Sequence, residues 1–298
     1  MGQTDLHMHS SVSIDGDISP RGLAELCCQE GVTLAALTDH NDIAGVAEFI
    51  WRSAQLGVRA IPGIELDCMY ETYNLHILGY GIDIADPLLL RAIREARGLL
   101  AEAGLRLMDA VEALGIRFDR EHVLAQAKHG VICAEMIAEA ALKLPENHMH
   151  PLIRPLLPGG TLADQPLVNF YWSVCAPGKP AYVPVEYMTA GQAIDLIHIA
   201  GGIAVLAHPG VSIKEHEVLD RVLCLPLDGI EVSSSYHTPV QAVSYWETAK
   251  VYHLLATGGS DFHGKTKPDI RLGGVDWQNK EHEITTVLLA ELEQPRRV

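Results

Sequence analysis

The sequence predicts an α/β fold in which buried strands alternate with amphipathic helices, interrupted by a long helical segment. Two observations support this prediction. Short apolar runs of strand length recur between stretches with helical periodicity, which is typical of strands covered by helices. Histidines and carboxylates recur directly after those runs, where reactive groups gather in parallel α/β proteins.

The first part of the chain alternates between strand and helix patterns. The first apolar run, which includes Leu6, predicts the opening strand. The helix that follows has Ser19 as its N-cap, Pro20 in its first turn and Gly31 at its end. The next elements are the strand "VTLAALTDH", the helix "DIAGVAEFIWRSAQLG" and the strands "VRAIPGIEL" and "YNLHILGYGI". This alternation predicts parallel strands with helices outside.

From about Pro87 the pattern changes. The stretch "LLLRAIREARGLLAEAGLRLMDAVEALG" predicts one long helix or two, and helical and proline-rich pieces continue to about Lys179 without an obvious strand. We therefore predict that residues 1–90 and 180–298 form the α/β domain. Residues 91–179 are predicted to be a helical insertion that caps the substrate.

The alternation resumes after the insertion. Its helices are "TAGQAIDLIHIAG", "IKEHEVLDRVL" and "TPVQAVSYWETAKVY", and they alternate with the strands "GIAVLAHPG", "LDGIEV" and "LLATGGSDFHG". Each of these strands also ends in a histidine or a carboxylate.

Composition excludes several classes of protein. Hydrophobic residues make up 48% and charged residues 20% of the chain, a balance typical of globular domains. No apolar run reaches the roughly 18 residues that span a bilayer, and the first residues do not resemble a signal peptide, so we expect a cytoplasmic protein without a membrane partner. The formal net charge of −16 argues against nucleic acid as a bulk partner, because a polyanion is repelled unless bound cations invert the field.

The strand ends predict a metal centre. His7 and His9 are two residues apart in an extended segment, so their side chains point to the same side and can converge on a cation. Nine such residues at or near strand ends are candidate ligands: His7, His9, Asp15, His40, Glu65, His76, His208, Asp261 and His263. This set is too large for one ion. Two or three divalent ions would use it, and its nitrogen and oxygen donors suit Mn²⁺, Fe²⁺ or Zn²⁺.

One further histidine is ambiguous. His237 follows the strand "LDGIEV" in the stretch "SSSYHTP". A substrate contact, a proton-transfer role and a helix-capping role all remain open for it.

The sequence resembles the PHP (polymerase and histidinol phosphatase) domain family of metallohydrolases. The matching segments are "DLHMHS", "LTDHND", "GIEL", "LHILGYGI", "AHPG" and "GSDFHG", in the order of the family. The later "GKPAYVP" and "GIEV" segments resemble the subgroup with a helical insertion, which includes a 3′,5′-nucleotide bisphosphate phosphatase and a dihydrolase of phosphoribosyl 1,2-cyclic phosphate.

The resemblance implies a distorted (β/α)₇ barrel that binds three divalent metal ions. Mn²⁺ is the preferred metal, ahead of Fe²⁺ or Zn²⁺. The implied ligand sets are His7, His9 and Asp261 for the first metal, Glu65 as a bridge to a second metal with His76 and His208, and Asp15, His40 and His263 for the third. Family members often carry a histidine where Asp15 stands, and a carboxylate there favours a harder ion such as Mn²⁺.

One motif departs from the bisphosphatase pattern. Those relatives carry an Arg-Thr-His run near a substrate phosphate, where this chain has Ala134, Glu135 and Met136. The departure favours a smaller or differently shaped phosphate ester, such as a cyclic phosphodiester of a sugar, over a nucleotide bisphosphate.

The expected reaction is hydrolysis of a small phosphorylated sugar or nucleotide by metal-activated water. We expect catalytic roles for Asp261 as the proton acceptor, for His237 near the leaving group and for His40. Arg94 and Arg97, three apart on one helix face, and Lys179 are candidate phosphate contacts together with His237. Hydrolysis of C–N bonds and a non-catalytic PHP module are the alternatives.

Overall fold

The computed structural model describes residues 3–294, in which helices surround a mixed sheet. The strands are β1 (Gln3–Asp5), β2 (Val32–Leu37), β3 (Arg59–Tyr70), β4 (Tyr73–Tyr80), β5 (Met188–Thr189), β6 (Ile203–Leu206), β7 (Gly229–Ser234) and β8 (Leu255–Gly259). The principal order across the sheet is β1-β2-β3-β4-β6-β7-β8, and the two-residue β5 pairs with β3. The predicted α/β class is confirmed.

The sheet closes on itself. Leu6, directly after β1, donates its N–H to Gly258 O within β8 at 3.2 Å, and Asp261, just after β8, donates its N–H to His7 O at 2.8 Å. These bonds join the first strand to the last strand, so the seven principal strands form a barrel. Closure brings residues from the two ends of the chain to the same rim.

The expectation of parallel strands is wrong at β4, which pairs antiparallel with both β3 and β6. Glu71 and Thr72 alone separate β3 from β4. A two-residue connection reverses the chain, whereas parallel neighbours need a long crossover.

The helices follow the predicted order. They are α1 (Pro20–Gln29), α2 (Val46–Gln55), α3 (Pro87–Ala113), α4 (Arg120–Gln126), α5 (Ala134–Leu142), α6 (Pro166–Phe170), α7 (Ala190–Ile199), α8 (Pro209–Ser212), α9 (His216–Val222), α10 (Pro239–Val251) and α11 (Glu281–Leu292). The Ser19 hydroxyl accepts a hydrogen bond from Gly22 N at 3.1 Å and caps α1 as predicted. The long apolar pattern after Pro87 forms one helix of 27 residues. The C-terminal helix α11 was not predicted.

The chain divides into two compact units. Among the described residues, one unit comprises 3–93 and 187–294, and the other comprises Arg94–Glu186. Each unit has its own apolar core. The first core is formed by the strands and their covering helices, and the second by helical residues such as Met108, Ile137 and Phe170.

Across residues 3–294, every helix is too short or too polar to cross a bilayer.

Candidate metal centre

The carboxyl ends of the parallel strands meet at one rim of the barrel. There, together with His76 from the first half of antiparallel β4, histidines and carboxylates form four overlapping groups. Within each group the nitrogen or oxygen atoms that could bind a metal lie within 4.8 Å of one another. The groups are His7, His9, Glu65 and Asp261; Glu65, His76 and His208; His9, Asp15, His40 and His263; and His40, Asp67 and His76. The structure thus brings together all nine residues predicted from the strand ends.

The segment after β1 positions two of the histidines by alternation. Leu6, His7, Met8 and His9 are all fully buried, and alternate side chains of an extended chain point to opposite sides. Leu6 and Met8 join the apolar core, so the two imidazoles lie on the opposite side. His9 is anchored through its backbone N–H, which donates to Phe262 O at 2.9 Å.

Glu65 on β3 lies at the middle of the centre and is completely buried. Its Oε2 atom lies 3.2 Å from the Nε2 atoms of both His7 and His9. Its Oε1 atom lies 2.9 Å from His76 Nδ1 and 3.2 Å from His208 Nε2. One carboxylate therefore faces two groups of imidazoles, one with each oxygen.

A third group of side chains lies beside the two groups that share Glu65. Asp15 Oδ2 lies 3.0 Å from His263 Nε2 and 3.7 Å from His40 Nε2. The His9 and His263 rings stack with their centroids 4.0 Å apart. Because His9 belongs to both the first and the third group, the three groups form one continuous cluster.

Two of these side chains sit on unusual backbone. His208, just after β6, has φ +21°, and Asp261, just after β8, has φ +57°. Non-glycine residues rarely adopt positive φ, and when they do the strain clusters at functional sites. Hydrogen bonds from other strands hold both residues, since His208 N–H donates to Glu231 Oε2 at 2.7 Å and Asp261 N–H donates to His7 O at 2.8 Å.

The neighbours control the ionisation of the cluster. Although burial disfavours the charged form, His7 and His40 hold the pKa of Glu65 well below its usual value. Burial, with His263 and His40 alongside, lowers the pKa of His9 to about 4. Although burial opposes it, Glu65 and other carboxylates raise the pKa values of His7 and His40 well above the usual range. A divalent cation binds neutral imidazoles and ionised carboxylates, so its binding to His7 and His40 would displace protons.

The residues fit a set of bound cations. His7 Nε2, His9 Nε2, Glu65 Oε2 and Asp261 Oδ1 are all buried and make no hydrogen bond, although His9 Nε2 lies only 3.0 Å from Asp261 Oδ1. Two ligands that are each about 2.1 Å from one ion, at right angles, are about 3 Å apart. Buried polar atoms without partners are costly, and a shared cation would satisfy them.

Four residues of the centre were not assigned a role from the sequence. Asp67 contacts His40, Glu231 contacts His7, and Tyr236 and Lys267 contact Asp261. Asp67 could have been found, because it is two residues beyond Glu65 on the same strand and therefore on the same face. Glu231 could also have been found, because it is the carboxylate at the end of the predicted strand "LDGIEV". Tyr236 and Lys267 lie 25 and 6 residues from Asp261 in sequence, and no strand pattern marks either of them.

The sequence analysis also predicted catalytic roles for His40 and Asp261. Asp261 Oδ2 accepts hydrogen bonds from Tyr236 and Lys267, and although burial opposes it, the Lys267 ammonium holds the pKa of Asp261 well below the usual range. A carboxylate with a low pKa is a weak base. The roles of both residues in proton transfer stay predictions.

His237 lies outside the four groups. Its Nδ1 donates to Val232 O at 3.0 Å and its Nε2 accepts from Gly210 N–H at 3.2 Å. Because both nitrogens bond to the backbone, this arrangement favours a role in holding two loops together over the predicted proton transfer.

The predicted phosphate contacts lie in the helical unit, which contains Arg94, Arg97 and Lys179. Their contact with a substrate phosphate stays a prediction.

A closed α/β sheet with histidines and carboxylates converging at the carboxyl ends of its strands is the architecture of a polynuclear metallohydrolase. The PHP domain profile matches residues 5–139. The 5′-3′ exoribonuclease Rnm of Escherichia coli is 31% identical over 280 residues, which cover 92% of this chain and 89% of that protein. The chain belongs to the PHP domain family, and its enzyme class is that of a phosphoesterase.

Two further relatives show the range within the family. The 3′,5′-nucleoside bisphosphate phosphatase of Chromobacterium violaceum is 31% identical, with 88% of each chain covered. The phosphoribosyl 1,2-cyclic phosphate 1,2-diphosphodiesterase of Eggerthella lenta is 29% identical, covering 88% of this chain and 94% of that one. A solved structure of an amidohydrolase from Chromobacterium violaceum, with bound sulfate and no metal, aligns with a TM-score of 0.78 and 27% identity over 92% of this chain and 91% of that one.

Proposed function

We propose that this protein is a metal-dependent phosphoesterase that hydrolyses a small phosphorylated sugar, with a cyclic phosphodiester as substrate, through to inorganic phosphate. The observation that carries the proposal is the division of the Glu65 carboxylate between two groups of imidazoles. Such a shared carboxylate is what a multinuclear site needs to hold cations side by side.

The proposed cofactors are three divalent ions, with Mn²⁺ preferred over Fe²⁺ or Zn²⁺. His7, His9, Glu65 and Asp261 would hold the first, and Glu65, His76 and His208 the second. The third would be held by Asp15, His40 and His263. When bound, such ions supply a reactive water at neutral pH and neutralise charge on phosphoryl oxygens.

The residues around the centre perform the remaining tasks. Burial of Glu65 and Asp261 at 0% and 2% exposure excludes bulk water, which strengthens the attraction between the centre and a phosphate. Glu231 and Asp67 hold the imidazoles of His7 and His40 in orientation by accepting from their Nδ1 atoms.

Two observations favour a cyclic sugar phosphate. The relative from Eggerthella lenta that acts on such a substrate aligns over 94% of its length. In the helical unit, Ala134 and Met136 are buried in the apolar core, where neither side chain offers a donor to a second phosphate.

The second candidate is a nucleotide substrate. The relatives that are an exoribonuclease and a nucleoside bisphosphate phosphatase are each 31% identical to this chain. Under this alternative, a nucleoside 3′,5′-bisphosphate or the 5′ end of a short RNA would place its phosphate at the same centre. The net charge of −16 favours a short substrate over a long polyanion.

The test is a comparison of phosphate release by the Mn²⁺-loaded protein. The substrates are phosphoribosyl 1,2-cyclic phosphate, a nucleoside 3′,5′-bisphosphate, a 5′-phosphorylated oligoribonucleotide and histidinol phosphate. We expect the cyclic phosphate to give the highest kcat/KM and Glu65→Gln to lose about 100-fold or more, since a cation site contributes several kcal/mol to the transition state.

Other outcomes would overturn the proposal in different ways. A nucleotide with the highest kcat/KM would establish the second candidate. Turnover of amide or lactam substrates alone, without inhibition by inorganic phosphate, would identify an enzyme that hydrolyses C–N bonds. A protein that retains no more than trace metal after incubation would be a non-catalytic module.

A further inference from the structure

The two oxygens of Asp261 have different surroundings. Oδ2 accepts a hydrogen bond from the Tyr236 hydroxyl at 2.6 Å and another from Lys267 Nζ at 2.8 Å. Oδ1 makes no hydrogen bond and lies 3.2 Å and 3.0 Å from the Nε2 atoms of His7 and His9. One oxygen therefore faces the imidazoles, and the other is saturated by protein donors.

Tyr236 and Lys267 also contact each other. Lys267 Nζ donates to the Tyr236 hydroxyl at 2.9 Å, and it lies 5.5 Å from the centroid of the tyrosine ring. Since Tyr236 donates to Asp261 while it accepts from Lys267, the three polar groups close a triangle with one consistent direction for each bond. An ionic donor makes such bonds stronger and shorter.

The triangle joins two loops at the rim. Tyr236 follows β7, and Lys267 follows the short helical turn Gly264–Thr266 after β8. Asp261 is 2% exposed, whereas 29% of the Lys267 side chain and 36% of Tyr236 are exposed. The two donors thus cover the outer side of a buried carboxylate.

The backbone of Asp261 is also unusual. Its φ of +57° is unfavourable for an L residue and persists when surrounding contacts hold it. A carboxylate without the two donors could rotate and present either oxygen, or both, to the imidazoles.

We propose that Tyr236 and Lys267 are positioning residues that occupy Oδ2 of Asp261 and leave Oδ1 as its single oxygen for a divalent cation. This inference rests on the cation centre of the proposed function. It adds the pair of residues that determines how Asp261 takes part in that centre.

The test uses Co²⁺, because its visible absorption reports the number and geometry of its ligands. The metal-free full-length protein is titrated with Co²⁺ for wild type, Tyr236→Phe, Lys267→Met and Lys267→Arg. We expect Tyr236→Phe and Lys267→Met to change the shape of the spectrum and to weaken Co²⁺ binding by about tenfold or more, as the loss of supporting contacts does in other metal sites. Lys267→Arg keeps a charged donor, so its spectrum should be nearer to that of wild type than to that of Lys267→Met.

Matched controls separate this role from general damage. Lys265→Met removes an exposed lysine two residues away, and Tyr252→Phe removes a hydroxyl that donates to Asp220 on the outside of the barrel. Both should keep the wild-type Co²⁺ spectrum. Circular dichroism and the unfolding midpoint of the metal-free proteins identify any variant that fails to fold, and Tyr236→Phe, the smallest change, is the deciding variant.

The outcomes for the two proposals are distinct. An unchanged Co²⁺ spectrum and affinity in folded Tyr236→Phe and Lys267→Met would overturn the positioning role and leave the proposed function intact. Failure of the wild-type protein to bind Co²⁺ would overturn both. Altered spectra together with no phosphate release from any substrate would support the positioning role and count against the proposed reaction.

Discussion

Glu231 holds His7 through a contact of 3.1 Å between Oε1 and Nδ1, and both side chains are completely buried. The other oxygen of Glu231 accepts from the backbone N–H of His208 at 2.7 Å. One carboxylate in the middle of β7 therefore orients a side chain that follows β1 and a strained residue just after β6. Carboxylates that accept from an imidazole in this way fix its tautomer and strengthen its metal binding.

The first prediction concerns this carboxylate. Glu231→Gln keeps the shape of the side chain but replaces one acceptor oxygen by an NH₂ group, so it cannot accept from both His7 and His208. We expect the affinity for Mn²⁺ to fall by about 10- to 100-fold. Isothermal titration calorimetry, with Mn²⁺ added to the metal-free protein, measures this affinity. Glu217→Gln, on the exposed face of α9, is the control, and equal affinities for the two variants would exclude this role.

The second prediction concerns Asp67. Its Oδ1 lies 3.0 Å from His40 Nδ1 and its Oδ2 accepts from Asn41 Nδ2 at 2.8 Å. Asp67→Asn should weaken the ion held with His40 more than the two ions around Glu65, because Asp67 Oδ1 lies 3.0 Å from His40 Nδ1 but 3.6 Å from His76 Nε2. Metal analysis after dialysis should show one equivalent fewer than for wild type. Loss of all metal, or of none, would contradict the prediction.

The third prediction is a pH dependence of stability. Burial lowers the pKa of His237 below its usual value, so on acidification the unfolded chain binds a proton near pH 6.5 while the folded protein does not. The contribution of His237 to stability is therefore present above about pH 6.5 and is lost as the pH falls toward the lowered pKa.

His237→Asn should remove this contribution, so the free energy of unfolding should fall less between pH 7.5 and 5.5 than in wild type. Urea denaturation in the presence of a chelator measures it. His216→Asn replaces an exposed imidazole on α9 and serves as the comparison. An identical pH dependence in wild type and His237→Asn would contradict the prediction.

The fourth prediction concerns the helical unit. If Arg94 and Arg97 bind a phosphate of the substrate, replacing either by alanine should raise KM for a bisphosphorylated substrate, with a smaller effect on kcat. The loss of one charged hydrogen bond corresponds to about 10- to 100-fold in KM. Arg106→Ala, further along α3, is the matched control. Unchanged kinetics in both variants would remove Arg94 and Arg97 from the binding site.

Much of the fold could be predicted because its elements are encoded locally. Ser19 and Pro20 mark the start of α1 by chemistry that acts within one turn. The direction of β4 could not be read from its apolar pattern, which is the same for parallel and antiparallel partners. The tight turn at Glu71, with φ +54°, reverses the chain and makes β4 antiparallel to β3. The sequence analysis also did not predict the C-terminal helix α11.

The sequence by itself determined which imidazoles and carboxylates face the site, although it predicted that the strand with Glu65 ends at Leu66, whereas β3 continues to Tyr70. That information is local, because side-chain direction follows from alternation along a strand. Closure of the barrel decided which of them meet. His7 and Glu231 are 224 positions apart, and Asp261 comes to His7 through backbone bonds between the two ends of the chain. Only the folded sheet creates these neighbours, because pairing between distant strands leaves no periodic trace in either segment.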